Sequence, residues 1–169
     1  MTAGTSDIGV AEEARLMCEA MNCNCITSYD VGVAGIQRIF PILKKMIKED
    51  VDCIIVAAGM EGALATLVST MVDIPIIGIP TSVGYGYGGN GIAALASMLQ
   101  SCSLGLSVVN IDNGIAAGGI AANIANRVNR KTWSANLKFQ IRYILTRTWF
   151  FSVCVYYLLL HLMFDLGAS

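Results

Sequence analysis

Histidine is almost missing from this chain. A single one, His161, stands among 169 residues, far from every glycine-rich segment. Serine–histidine and cysteine–histidine catalysis are thereby excluded from the glycine-rich region. Charge is scarce too, at 14% of residues with a net charge of −1. With no basic stripe to neutralise phosphates, nucleic acid is not an expected partner. No secretory segment precedes the six cysteines, because a polar loop follows Met1. Cys18, Cys23, Cys25, Cys53, Cys102 and Cys154 are therefore expected to be reduced thiols of a cytoplasmic protein. Cys23-Asn24-Cys25 is too tightly spaced for a zinc knuckle and lacks a second pair, so no metal ligands are assigned.

What the chain has in abundance is apolar sequence and glycine. It is 55% hydrophobic, with a mean hydropathy of +0.62. A parallel sheet buried on both faces accounts for part of that. Eleven of the seventeen glycines lie in five short loops: Thr2 to Asp7, Asp30 to Gly35, Ala58 to Leu64, Pro80 to Gly91 and Asn110 to Gly114. Each is set against an apolar run or a helix start. In an α/β sheet, ligands bind at the carboxyl ends of the strands, where such loops sit. Glycine lets backbone approach a phosphate closely, and helix N-termini supply N–H donors. The loops thus predict a nucleotide-sized ligand.

Between the loops, strands and helices alternate. A helix is expected from Ser6 or Asp7, as its cap, to about Asn22. Cys25 to Tyr29 reads as a short strand. A helix from about Ala34 to Glu49 carries Ile36, Ile39, Phe40, Leu43 and Ile47 at helical spacing, with Pro41 kinking it or marking a later start. Val51–Ala57 and Ile74–Pro80 read as buried strands, with helices Gly62–Met71 and Gly91–Ser101 after them. Strand Gly105–Asn110 and a small-residue helix, Ala116–Arg130, complete the series. The fold expected is α/β: a three-layer, doubly wound parallel sheet.

The two ends depart from that pattern. An open α/β domain starts with a strand whose tip presents the first loop, and here the loop follows Met1 directly, so the first strand is expected to be lacking. After Arg130 the composition shifts. Residues 131–148 carry Lys131, Lys138, Arg142 and Arg147 but no acid, and 149–164 is almost wholly apolar and aromatic. As a helix, that run is roughly 24 Å long, short of a bilayer core. A membrane anchor is the disfavoured reading, beside a packed terminal helix or a sequence foreign to this fold. The division expected is a domain at 1–130 and an atypical tail at 131–169.

Taken in order, Thr2–Asp7, Val10-Ala11-Glu12-Glu13-Ala14, Asp30–Gly35, Gly59–Leu64, Pro80–Gly86, Ser97–Cys102 and Val109–Gly114 resemble the carboxylase domain of the LarB family. That family makes a nickel-pincer nucleotide cofactor. It is similar to the phosphoribosylaminoimidazole carboxylase, or PurE, superfamily, whose fold is flavodoxin-like. The resemblance covers about residues 1–130. Gly9, Ala65 and Leu104 replace prolines common in the family, and Gln37 replaces a frequent histidine. The aminoimidazole mutases carry Ser-Ala-His-Arg after the second strand. Here the stretch is Ser28-Tyr29-Asp30-Val31-Gly32, without histidine, which disfavours the purine-pathway activity.

The resemblance implies carboxylation of the pyridinium ring of nicotinic acid adenine dinucleotide, or of another nucleotide, with carbon dioxide or bicarbonate as co-substrate. Phosphoanhydride hydrolysis accompanies it, assisted by Mg2+. A pyridinium ring is too electron-poor to attack carbon dioxide, and a thiolate adding to it makes an enamine-like ring that can. Cys102 matches the family's nucleophile, against the bland reading of a small buried hydrophobe. Glu61 would exchange a proton with the ring, or simply complement a helix dipole. Ser6 and Asp7 would meet phosphate or ribose, or cap a helix. Arg38 would pair with a phosphate, and Met60 belongs with the substrate-binding positions of its loop. Ser82, Gly84 and Tyr85 would hold the ring or its carboxylates, while Asp112 and Asn113 would orient the pocket or form a turn. A homo-oligomer of octamer type is implied, with the alanine-rich Ala116–Ala125 helix suited to subunit packing. Two rival readings stand beside this one: an aminoimidazole ribonucleotide carboxylase, and an inactive nucleotide-binding remnant.

Overall fold

The computed structural model describes residues 1–129, and the tail, with His161 and the 149–164 segment, lies outside them. Three parallel strands form the sheet, β1 (Ile54–Ala58), β2 (Ile76–Pro80) and β3 (Leu106–Val108), in the order β1-β2-β3. The helices are α1 (Ile8–Ala20), α2 (Ile39–Lys48), α3 (Ala63–Met71), α4 (Ile92–Leu99) and α5 (Gly114–Asn129). Successive residues of the strands face opposite layers, as a strand's period of two requires. Ile54, Val56 and Ile76 pack with Ile39, Leu43, Met46, Leu64, Val68 and Met98 of α2, α3 and α4. Ala57, Ile77 and Ile79 pack with Ala14, Cys18, Ala117 and Ala121 of α1 and α5. The result is the three-layer, doubly wound arrangement expected, and it explains why whole strands read as unbroken apolar runs.

The first strand is missing as an element, yet its tip is present. Met1–Ala3 lies beside β1: the Ala57 amide donates to Met1 O (2.9 Å), the Ala3 amide to Ala57 O (2.9 Å), and Thr2 bridges Ala57 in parallel. On its other side, the Thr2 amide donates to Ser28 O and the Val31 amide to Thr2 O, both at 3.0 Å. Counting this stub and the segment leading to Val31, the order becomes 2-1-3-4-5, the flavodoxin-like one. The strand expected at Cys25–Tyr29 does not form as such, because the neighbour it would pair with is only three residues long.

The Met1 ammonium donates to Ile55 O at 2.8 Å, and burial lowers its pKa from 8.0 to about 6. The charged form is thus penalised in the fold. Between pH 6 and 8 the unfolded chain binds more protons, so stability rises with pH across that window and is lost as pH falls through it. At about 1.4 kcal/mol per pH unit, the change approaches roughly 3 kcal/mol. Urea midpoints at pH 8 and pH 6 measure it, and acetylating Met1 removes the slope.

The helix expected from Ala34 begins later. A 3-10 turn spans Val33–Arg38, and α2 starts at Ile39, which places Pro41 in the first turn, where its missing N–H has no helical partner to lose. Only Ile39, Leu43 and Met46 of this helix are buried; Ile36, Phe40 and Ile47 are exposed. The glycines of α5 pack closely against α1: a Cβ on Gly118 would stand 2.5 Å from Ala14 O, and one on Gly114 would stand 2.3 Å from Val10 O. Gly118→Val forces the two helices apart and is expected to cost about 3 kcal/mol, read from chemical denaturation.

Candidate functional site

Each strand ends in one of the glycine-rich loops, and tertiary contacts bind the five into one rim at the carboxyl end of the sheet. The first meets the second through the Asp30 amide, which donates to Thr2 Oγ1 (3.0 Å), and through Gly32, where any Cβ would stand 2.6 Å from Ala3 O. The first meets the fourth through Asp7, which is 2% exposed. Its Oδ1 accepts from the Thr81 hydroxyl (2.6 Å) and its Oδ2 from the Gly4 amide (2.7 Å). The third and fourth touch where a Cβ on Gly59 would meet Thr81 Oγ1 and Val83 Cγ2, both at 2.9 Å, and one on Gly84 would meet the Met60 nitrogen at 3.1 Å. The fourth and fifth are tied by the Ser82 amide donating to Asp112 Oδ1 (2.8 Å) and the Asp112 amide donating to Pro80 O (2.9 Å). Gly91, at φ +79°, closes the same junction: a side chain there would run into Ile111 at 2.7 Å.

Several expected roles shift once the side chains are placed. Asp7 makes no capping bond within α1 itself, but its Oδ2 accepts the Gly4 amide and closes a capping box on the 3-10 turn Thr5–Asp7 that leads into the helix. Its Oδ1 turns inward to Thr81, so the cap expected is also a bolt between two loops. Ser6 is exposed beside it. Arg38 Nη1 pairs with Asp30 Oδ2 at 3.0 Å, both roughly half exposed, which puts one cation on the rim of the second loop. Asn113 caps α5, its Oδ1 accepting from the Ala116 amide at 3.0 Å. Met60 and Asp112 hold left-handed backbone, at φ 51° and 56°, conformations that cost L-residues energy and cluster at functional loops. Glu61, Ser82 and Tyr85 are exposed at the rim, Tyr85 by 80%. Thr81 and Thr2, both fully buried, are the residues that sequence reasoning did not single out. Their hydroxyls join loops more than twenty residues apart, and no local pattern announces that.

Cys102 stands elsewhere. It is exposed in the connection between α4 and β3, at the amino end of the sheet. Gly105, three residues on, accepts from the Ile76 amide at the start of β2, and Ser103 bonds Ser69 near the end of α3. Glu61 and Ser82 lie beyond the opposite ends of β1 and β2. β2 is five residues long, about 17 Å at the usual rise. Within one chain, therefore, Cys102 and the five loops are not brought together.

Of the other thiols, burial pushes Cys18 up to about 12 and Cys53 up to about 11. Both are held protonated and inert, as expected of core cysteines. Among the described residues no group of three or more histidine, cysteine or acidic side chains can hold a metal. Asp7 and Asp112 already accept hydrogen bonds within the rim. These residues do not make a site for Mg2+. Among them, too, no helix is long and apolar enough to cross a membrane.

An uncharacterized protein of Methanocaldococcus jannaschii, MJ0165, is 58% identical over 130 residues, which are 77% of this chain and 50% of the relative. The chain thus spans about half the length of the curated relative it matches. The loops carry a family signature in their order and spacing, and the family model described as AIR carboxylase matches residues 1–143. The parallel sheet, the loop rim at its carboxyl end and that match agree: this chain belongs to the AIR carboxylase family.

Proposed function

We propose that the loop rim binds nicotinic acid adenine dinucleotide and that the chain, working as a homo-oligomer, carboxylates its pyridinium ring and hydrolyses its phosphoanhydride. The observation that carries this reading is the joining of all five glycine-rich loops into one rim, with α1, α3, α4 and α5 starting from it. Backbone amides and helix N-termini there suit a ligand with two phosphates.

Cys102 supplies the nucleophile from a second copy, since its own chain holds it at the far end of the sheet. The thiol proton leaves to solvent. The thiolate adds to the ring, forming a C–S bond and a neutral dihydropyridine. The enamine carbon attacks carbon dioxide, Glu61 takes the proton from that carbon, and expulsion of the thiolate restores the pyridinium. Water then cleaves the P–O–P bond, leaving a pyridinium-biscarboxylate mononucleotide and AMP.

Ser28–Gly32 offers no histidine for the imidazole chemistry suggested by the family's name. Incubating the protein with bicarbonate and each substrate separates the two activities. AMP release and incorporation of labelled carboxylate into the pyridine nucleotide are expected. Turnover of aminoimidazole ribonucleotide alone would give the purine reading instead, and no turnover of either would leave a nucleotide-binding remnant.

A further inference from the structure

Cys102 is exposed, and the serines on either side of it are half-buried. Ser101 and Ser103 bring their hydroxyls together at 2.9 Å, and the Ser103 amide donates to Ser101 Oγ at 3.3 Å. Ser103 Oγ also lies 2.5 Å from Ser69 Oγ, near the end of α3. Ser69 is only 6% exposed, and its hydroxyl donates to Thr66 O at 2.8 Å. Three serines from two elements thus form one continuous chain behind the thiol.

A hydroxyl has a single proton to donate, and that fixes the direction of the chain. The Ser69 proton is committed to Thr66 O, so Ser103 donates to Ser69. The Ser103 proton is then committed as well, so Ser101 donates to Ser103. Each hydroxyl accepts one bond and donates the next, from the loop into the helix, and bonds aligned in this way strengthen one another. The bond from the Ser103 amide to Ser101 Oγ closes a side-chain turn around Cys102. Backbone pins the connection on both sides of that turn. The Ser101 amide donates to Met98 O (3.3 Å), and Gly105 O accepts from the Ile76 amide (2.9 Å).

We propose that Ser69, Ser101 and Ser103 are positioning residues that hold the Cys102 thiol outward, at a fixed place, for the ring bound by a second copy. The inference rests on the reading of Cys102 as the nucleophile. An attacking atom must be held within about 3–3.5 Å of its target, and a misplacement of about 1 Å can cost roughly a hundredfold in rate. An exposed connection tied only by its two ends leaves the sulfur free to wander. Tied also to a buried hydroxyl of α3, it does not. The same helix starts two residues after Glu61, so one rigid element sets the place of both reacting groups of a copy.

The test compares Ser69→Ala, Ser103→Ala and Ser103→Thr with the wild-type chain and with Cys102→Ser. Alanine suits a helix interior, so Ser69→Ala should fold, and its Tm is measured alongside. Both alanine variants are expected to lower kcat for nicotinic acid adenine dinucleotide by about tenfold to a hundredfold with KM unchanged, because the loops of the rim are untouched. Amide exchange over residues 102–105 should quicken by about tenfold. Ser103→Thr keeps a hydroxyl and should restore both. Alanine variants with kcat and exchange like wild type, beside an inactive Cys102→Ser, overturn the inference and leave the nucleophile standing. So do a loss carried wholly by KM, faster exchange without loss of kcat, and a Ser103→Thr as slow as Ser103→Ala. Full turnover by Cys102→Ser, or none by the wild-type chain, instead overturns the reading of Cys102, and this inference falls with it.

Discussion

Cys102→Ser is expected to lower turnover of the pyridine dinucleotide by roughly a thousandfold or more while leaving its binding at the loops intact. Serine keeps the size of the side chain but not a nucleophile able to add to the ring at neutral pH. The residue is exposed and its side chain supports no core, so Tm should not move. Glu61→Gln, at the rim, should also be inactive. Mixing the two inactive chains and allowing subunits to exchange is the decisive measurement. If a site takes its loops from one copy and its thiol from another, about a quarter of the sites become whole on random mixing. Activity then reappears. A mixture as inactive as either variant alone would mean that both groups act from a single chain, against the separation seen across β2.

The second large effect is on stability. Asp7→Ala removes a buried carboxylate that accepts from both the Thr81 hydroxyl and the Gly4 amide. Thr81 is fully buried, and its hydroxyl would be left without an acceptor. Each charge-assisted bond is worth about 1.5–3 kcal/mol, and an orphaned buried donor adds its desolvation penalty. A loss of about 3–5 kcal/mol is expected from urea denaturation. A helix cap alone would cost about 1 kcal/mol, so the excess over that value measures the inward bond to Thr81. Thr81→Val in the same background should add little, because the bond it would break is already gone. Binding at the rim should weaken in parallel, since Asp7 holds the first loop against the fourth.

Much of this was legible in the chain. β1, β2 and β3 announced themselves as β-branched or apolar runs, and α3, α4 and α5 began within two residues of where glycine and helical spacing placed them. Pro41 correctly warned of a later start for α2. Local signals suffice for such elements because propensity and periodicity act over a few residues. What was missed depends on distant partners. Cys25–Tyr29 has strand composition but lacks a full-length neighbour, and a strand exists only as part of a ladder. The close fit of Gly114 and Gly118 of α5 to an α1 backbone about a hundred residues earlier in the chain was likewise not written in any local pattern.

The order of the loops, the alternation of strand and helix, and the chemistry of the side chains on each loop were determined by the sequence alone. All three are set by local backbone preference and by residue type. Only the tertiary structure decided that Met1–Ala3 stands in for a strand, that Asp7 points inward to Thr81, and that Cys102 lies across the sheet from Glu61. Each depends on partners 50 or more positions away, or on the direction in which a parallel strand runs, and no short stretch of sequence carries that information.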